Sequence, residues 1–301
     1  MMQLFLTKSN VDKFYSYIES YVNQSNTKYS MDELNCDLLM LFEKTFEEVV
    51  KSTPNEIRKL ISQNIVNFPK SILILKDLYE TFRNKWAVEL LEALELKVCP
   101  FCNREYIFRF EDTIKNEARI IASLDHYYDK DSYPYLAVSI YNLIPSCNIC
   151  NSKFKHTKNF YNEKHLHLYE DDFNQKVKFS YSLKSMHGQN NKIPLFSKER
   201  LHIDLKILES NIQINNTIKT FRIKELYNEH RDIVFELIQK SQIYNETYIN
   251  EVILKYGNGK VFDTREDLMR LVTCGHVSDE DINKRPLSKL IKDISEDLGI
   301  K

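Results

Sequence analysis

The residues with the strongest chemical signature are two tight cysteine pairs, Cys99-Pro100-Phe101-Cys102 and Cys147-Asn148-Ile149-Cys150. Each has the CxxC spacing of a metal knuckle, and four thiolates can close a tetrahedron around Zn²⁺. Two unrelated redox or buried pairs would explain the same residues, but two such pairs in one chain favour a shared ion. A closed four-thiolate site keeps no open coordination position, so this zinc is expected to be structural. The segment 103–146 is longer than the spacer of a plain zinc ribbon, so something is inserted between the knuckles. Within it stand Leu124-Asp125-His126 and Asn142, and Asn151 directly follows Cys150. A carboxylate and an amide oxygen are hard donors suited to Mg²⁺ or Mn²⁺. An imidazole beside them can serve as a general base, because it titrates near neutrality. A ligated thiolate next door would hold Asn151 in place for a second, catalytic ion. Taken singly these residues are ordinary: an Asp-His pair commonly marks a surface turn, and an Asn after Cys a cap.

The stretch CPFCN…LDHYYDKDSYPYLAVSIYNLIPSCNICNSKFKH, about residues 97–160, resembles an HNH endonuclease motif of the ββα-metal type with flanking zinc knuckles. The resemblance implies that Asp125 ligates the catalytic divalent ion and that His126 deprotonates a water. It implies that Asn142 braces the loop bearing that histidine and that Asn151 is the second metal ligand. The third histidine of the motif would fall at 151, where this chain has Asn, which keeps an oxygen ligand. His156 is the other residue that could reach the site. In phosphodiester hydrolysis the ion stabilises charge developing on the phosphate and the 3′ leaving oxygen, and the products carry 5′ phosphates. Lys153, Lys155 and Lys158 follow the second knuckle with no acidic neighbour between 151 and 160, and they are expected to contact backbone phosphates. Tyr127, Tyr128 and Tyr133 either stack on bases or pack the motif's own core.

The C-terminal half, FRIKELYNEHRDIV…REDLMRLVTCG…KRPLSKLIKDI, is similar to PtuB-type nuclease subunits of Septu anti-phage systems and to related retron effectors. That resemblance implies an ABC- or AAA-class ATPase partner of the PtuA kind, and the chain has no GxxxxGK[ST] phosphate loop of its own.

The elements that must hold these residues are mostly helical. Ser30 with Glu33 predicts a capped helix over MDELNCDLLMLFEKTFEEVV, with Leu34, Leu38, Leu39, Phe42, Phe46 and Val49 at helical spacing and Cys36 as a small buried hydrophobe. Pro54 predicts the first turn of a short helix, and a long helix is expected from about Ser71 to Leu94. The Tyr106–Phe110 run and the residues leading into Asp125 are expected to be strands holding His126, with Asn142 in the connecting loop. A helix starting near Cys150 or Asn151 should carry the lysines. Val177, Phe179 and Tyr181, and Leu201 through Ile207, alternate like strands, separated by a loop at GQNNK. His165 and His167 alternate in HLHLY as in a strand with one polar face, and Cys274 with His276 reads as a helix end. Helical periodicity returns over 221–256, ends at GNG (257–259), and is followed by REDLMRLV and PLSKLIKDISEDL.

Composition narrows the classes. The 301 residues are 43% hydrophobic and 28% charged, enough for a packed core and unlike a disordered chain. Five glycines and seven prolines argue against sandwiches, barrels and glycine-rich nucleotide folds. With 42 Lys+Arg against 43 Asp+Glu, the net charge of −1 makes any nucleic-acid surface a local patch and predicts weak intrinsic DNA affinity. The opening MMQLFLTKSN does not read as a secretory signal, no run of 18 apolar residues is present, and six cysteines without an export signal suit a reducing cytoplasm.

The expected fold is α+β, mostly α. A helical region (1–96) precedes a ββα-metal core with a four-cysteine zinc site (97–165) and a mixed, then helical C-terminal region (166–301). The expected activity is metal-dependent endonucleolytic hydrolysis of DNA, as the effector of an anti-phage complex. A catalytically inactive zinc-stabilised adaptor and an RNA- or tRNA-cleaving toxin are the alternatives, since the phosphodiester chemistry does not read the sugar.

Overall fold

Few glycines force left-handed backbone positions onto other residues. Glu43, Asn64, Glu95, Asn103, Asn116, His156, Lys164, Arg222, Cys274 and Leu287 all have positive φ, a conformation that asparagine tolerates best among them. The computed structural model describes residues 3–24, 28–184, 197–257 and 259–300. Among the described residues about half are helical and three small two-stranded sheets are present, so the fold is α+β and mostly α. Among the described residues no helix is long and apolar enough to cross a membrane. The chain divides into two compact units, one of residues 3–96 and 107–171, the other of 97–106 and 172–300.

In the first unit α1 (Lys8–Val22), α2 (Met31–Phe42), α3 (Phe46–Lys51), α4 (Pro54–Ile61), α5 (Lys70–Leu73) and α6 (Leu75–Ala93) precede the strands. Side-chain caps start several of them. Thr7 and Asn10 form a capping box on α1, Thr45 and Glu48 on α3, and Thr53 and Glu56 on α4 ahead of Pro54. Ser30 Oγ accepts the Glu33 N–H on α2 at 3.3 Å. The run expected as one helix from Met31 is two, because Glu43 turns left-handed at φ 55° and Thr45 restarts the chain as α3. The helix expected from Ser71 is likewise two, α5 and α6. Leu34, Leu38 and Phe42 form the buried stripe of α2. Cys36 lies two residues off that stripe, about 200° around the helix, and is exposed rather than buried.

Four strands follow: β1 (Arg109–Asp112), β2 (Glu117–Ile120), β3 (Ser123–His126) and β4 (Leu143–Ser146). Among the described residues β1 pairs with β2 alone, so the expected Tyr106–Phe110 strand starts later and does not brace His126. The partner of β3 is β4, in antiparallel register Leu124↔Pro145, Asp125↔Ile144 and His126↔Leu143. β4 leads into a π-helical turn, Ile149–Lys155. Strand, strand and helical turn thus follow one another around the candidate residues, with Asn142 at the end of a 3-10 turn in the β3–β4 connection.

In the second unit α7 (Phe173–Lys176) leads into β5 (Val177–Leu183), which pairs antiparallel with β6 (Leu201–Ile207), the hairpin that the alternation predicted. The GQNNK loop lies outside the described residues. α8 (Ile212–Thr220), α9 (Ile223–Tyr227), α10 (Arg231–Ile243), α11 (Glu246–Tyr256), α12 (Arg265–Thr273) and α13 (Ser288–Asp297) complete it. α13 is buried on all sides along most of its length. Lys289 and Asp293 on it form a fully buried pair at 2.7 Å, and Asp293 Oδ2 accepts the Phe179 N–H of β5 at 2.7 Å. That satisfies an ammonium and a carboxylate that would otherwise be costly inside a core.

Candidate metal centre and active site

Each cysteine pair sits on a turn whose backbone is tied off locally. Val98 and Tyr106 form a bridge around the first, Cys99 N–H donates to Glu105 O at 2.9 Å, and Asn103 N–H donates to Cys99 O at 2.8 Å. In the second, Cys150 N–H points at Cys147 Sγ at 3.4 Å and Asn151 N–H donates to Cys147 O at 3.0 Å. All four cysteines are buried, and their Sγ atoms lie within 4.8 Å of one another. A tetrahedron with Zn–S bonds of about 2.3 Å has edges of about 3.8 Å, so the donor set and its spacing fit zinc. Cys99, Cys102, Cys147 and Cys150 would hold it in a closed, structural site.

Asp125 and His126 end β3, and both are buried. The Tyr79 hydroxyl donates to Leu124 O at 2.9 Å, and the Tyr79 ring packs edge-on against the His126 imidazole at 4.3 Å. His126 Nε2 lies 2.9 Å from Ala137 O. A carbonyl only accepts, so Nε2 carries the proton and Nδ1 keeps the basic lone pair. Burial pushes the imidazole down to about 4, against the raising effect of that carbonyl, so it is neutral at pH 7. Burial pushes the Asp125 carboxyl up to about 6, and the Lys155 ammonium beside it opposes the rise. Asn142 is fully buried below them. Its Oδ1 accepts the Tyr128 N–H at 2.7 Å, and its Nδ2 donates to Tyr128 O at 3.0 Å and Leu136 O at 2.9 Å. These bonds tie together both ends of the loop that follows His126.

Asp125, His126, Asn151, Lys155, His156 and Lys158 all line one open cleft of about 640 Å³. Asn142 and Lys153 do not line it. Asn151 is half-buried, and its carbonyl accepts the His156 N–H at 2.8 Å, an i→i+5 bond of the π-turn. His156 is exposed with φ 50° and pairs with Thr157 Oγ1 at 3.2 Å. Lys153 and Lys158 are exposed. Lys155 departs from the expected phosphate contact: its ammonium is buried, 2.6 Å from Asp125 Oδ1. Asp125 Oδ2 is buried with no hydrogen-bond partner among the described residues. Asp125, with an orphaned carboxylate oxygen, and Asn151 line the same cleft, and a carboxylate with an amide is a donor set that fits a hard divalent ion.

No protein-family model, no curated protein and no solved structure matches the chain.

The cleft also recruits residues of α6 that sequence spacing does not single out. Glu80 pairs with Lys130 at 2.7 Å and with Arg83 at 3.0 Å, and Lys130 stands 4.6 Å over the Tyr79 ring. Asp129 and Asp131 flank Lys130 on the same cleft, so this wall carries charges of both signs. Nothing in the local pattern of α6 marks these side chains, because they reach the cleft only through packing against β2 and β3. Tyr127 and Tyr128 are buried and belong to the core, whereas Tyr133 is half-buried.

His165 and His167 lie in no strand; both are buried among aromatic rings. His165 stacks on Phe160 at 4.0 Å, and His167 meets Tyr127 at 4.3 Å and Tyr128 at 5.6 Å. Neither ring nitrogen of His167 meets a partner among the described residues. Burial, helped by Arg58 and opposed by Asp171, pushes its pKa down to about 3. The folded value is depressed, so the stabilisation is present above the unfolded value of about 6.5 and is lost as pH falls towards 3. From pH 7 to pH 5 the chain is expected to lose about 2 kcal/mol through this residue. Thermal melts of His167→Phe should have a shallower acid limb than wild type, and identical limbs would refute the assignment. Cys274 is the exposed, left-handed end of α12 and is assigned no chemistry.

Proposed function

We propose that the chain is a metal-dependent endonuclease that hydrolyses DNA phosphodiester bonds. The observation that carries the reading is one cleft combining a neutral imidazole with a free Nδ1, a carboxylate oxygen without a partner, and an amide oxygen on a knuckle-anchored turn. The bound divalent ion would supply Lewis-acid stabilisation of charge on the scissile phosphate. Asp125, through its unpartnered Oδ2, and Asn151 would hold that ion. His126 Nδ1 takes the proton from the attacking water, and the Nε2–H bond to Ala137 O keeps the ring in the required tautomer as it becomes positive. Asn142 ties Tyr128 to Leu136, the residue directly before the Ala137 carbonyl. Lys158, Lys130 and Arg83 line the cleft where phosphates of an extended strand would run. Lys153 is exposed on the turn beyond it.

The resemblance in the C-terminal half supports a role as the nuclease effector of an anti-phage complex, with an ABC- or AAA-class ATPase supplying the nucleotide chemistry. A near-neutral chain has little basic surface for counterion release, so the reading includes weak DNA binding by the chain alone.

The test is incubation of the purified chain with supercoiled plasmid and with structured RNA, in Mg²⁺ or Mn²⁺ and with excess EDTA. Ion-dependent nicking of plasmid is expected. Cleavage of RNA alone would move the reading to a ribonuclease. No cleavage of either, with or without an ATPase partner, would favour a zinc-stabilised binding module.

A further inference from the structure

Lys155 ends the π-turn as a buried cation with three ties. Its Nζ lies 2.6 Å from Asp125 Oδ1 and 2.8 Å from the His126 backbone carbonyl, and it stands 5.1 Å over the Phe160 ring. The side chains of Lys155 and Asp125 are 8% and 3% exposed. Two hydrogen bonds and a ring face account for the ammonium's donors, which leaves nothing to offer a phosphate. A buried carboxylate facing a buried ammonium is also held in one rotamer, because turning away would strand both charges. Oδ1 is committed, and only Oδ2 is without a partner.

The same lysine joins two elements. Asn151 and Lys155 lie on one turn, closed by the 2.8 Å bond from His156 N–H to Asn151 O. Asp125 and His126 lie on β3. Lys155 is buried at the cleft and Asn151 half-buried on the same turn, so one side chain ties the turn that bears Asn151 to the strand that bears Asp125.

We infer that Lys155 is a positioning residue that latches the Asn151 turn to the Asp125–His126 strand and limits Asp125 to a single metal-facing oxygen. This inference rests on the endonuclease reading of the cleft. A one-oxygen carboxylate suits small octahedral ions such as Mg²⁺ and Mn²⁺, whereas Ca²⁺ takes higher coordination and often uses both carboxylate oxygens. The latch therefore sets ion preference as well as affinity.

The experiment measures Mn²⁺ binding to the zinc-loaded full chain by electron paramagnetic resonance, with Ca²⁺ as competitor. Lys155→Met frees Asp125 to turn. It is expected to weaken Mn²⁺ binding about tenfold or more, as loss of a residue supporting a metal ligand does, and to make Ca²⁺ the relatively better competitor. Lys155→Gln, uncharged but still a donor, serves as a second probe where the methionine variant does not fold, and should shift the preference the same way by less. Lys155→Arg keeps charge and donors and should keep the wild-type preference. Mn²⁺ binding in wild type with an unchanged Mn²⁺/Ca²⁺ preference in both the Met and Gln variants would overturn the role of Lys155 alone. No Mn²⁺ binding by the wild type would overturn the endonuclease reading, and this inference with it.

Discussion

His126→Ala is expected to lower the single-turnover rate of Mn²⁺-dependent plasmid nicking by about 10²–10⁴-fold, the usual worth of a positioned general base. Three features of the ring make the expectation specific. Its Nε2 is 2.9 Å from Ala137 O, which assigns the proton and leaves Nδ1 as the base. Burial keeps it neutral at working pH, with its pKa pushed down to about 4. Its edge contact with Tyr79 at 4.3 Å prevents the ring from swinging out. None of these groups is a cysteine ligand, so zinc content should be unchanged. Truncation leaves an imidazole-sized gap at the end of β3, and added imidazole should recover part of the rate. Equal nicking by variant and wild type would remove His126 from the chemistry and leave the reading without a base.

Removing zinc should have the largest effect on stability. Structural zinc sites contribute on the order of 10 kcal/mol of apparent folding free energy in isolated fingers. Here the chain also has its own core, so a loss of about 5 kcal/mol is a fair expectation, or a fall in Tm of about 10–20 °C for units of this size. The effect should be local first. Asn103, directly after Cys102, accepts the Leu287 N–H on its carbonyl at 2.7 Å and the Lys289 N–H on Oδ1 at 3.0 Å, and donates through Nδ2 to Ile282 O at 2.7 Å. It therefore caps the start of α13, so chelation or Cys102→Ser should expose the amides of α13 to hydrogen exchange before those of α2. The second knuckle fixes Asn151 through Cys147 O, so nicking should fall with zinc loss. One zinc per chain in native mass spectrometry is expected. A chain that carries no zinc and melts at the same temperature with and without chelator would refute the four-sulfur site.

Legibility in the sequence followed range. Contiguous signals held: the two CxxC turns, the Ser30 cap, Pro54 at a helix start and the alternation of β5 and β6 all depend on residues a few positions apart. The periodic apolar run from Met31 missed a break, since a left-handed Glu43 has no sequence mark of the kind glycine provides. β4 was missed because Leu143–Ser146 is a short apolar stretch containing Pro145, which reads poorly as a strand. Glu80, Arg83 and Lys130 carried no pattern at all.

By itself the sequence determined the donor types and their local geometry: four sulfurs on two tight turns, an Asp beside a His, an Asn one residue past a cysteine. Short covalent spacing limits where such side chains can go, so their chemistry can be read before any fold is known. Tertiary structure decided which donors meet in one cleft and which oxygen of Asp125 is left open. It also turned Lys155 from an expected phosphate contact into a buried latch. Those outcomes depend on burial and on partners about thirty residues apart, and the cost of leaving a charge unpaired in a core is set only once the surrounding chain has packed.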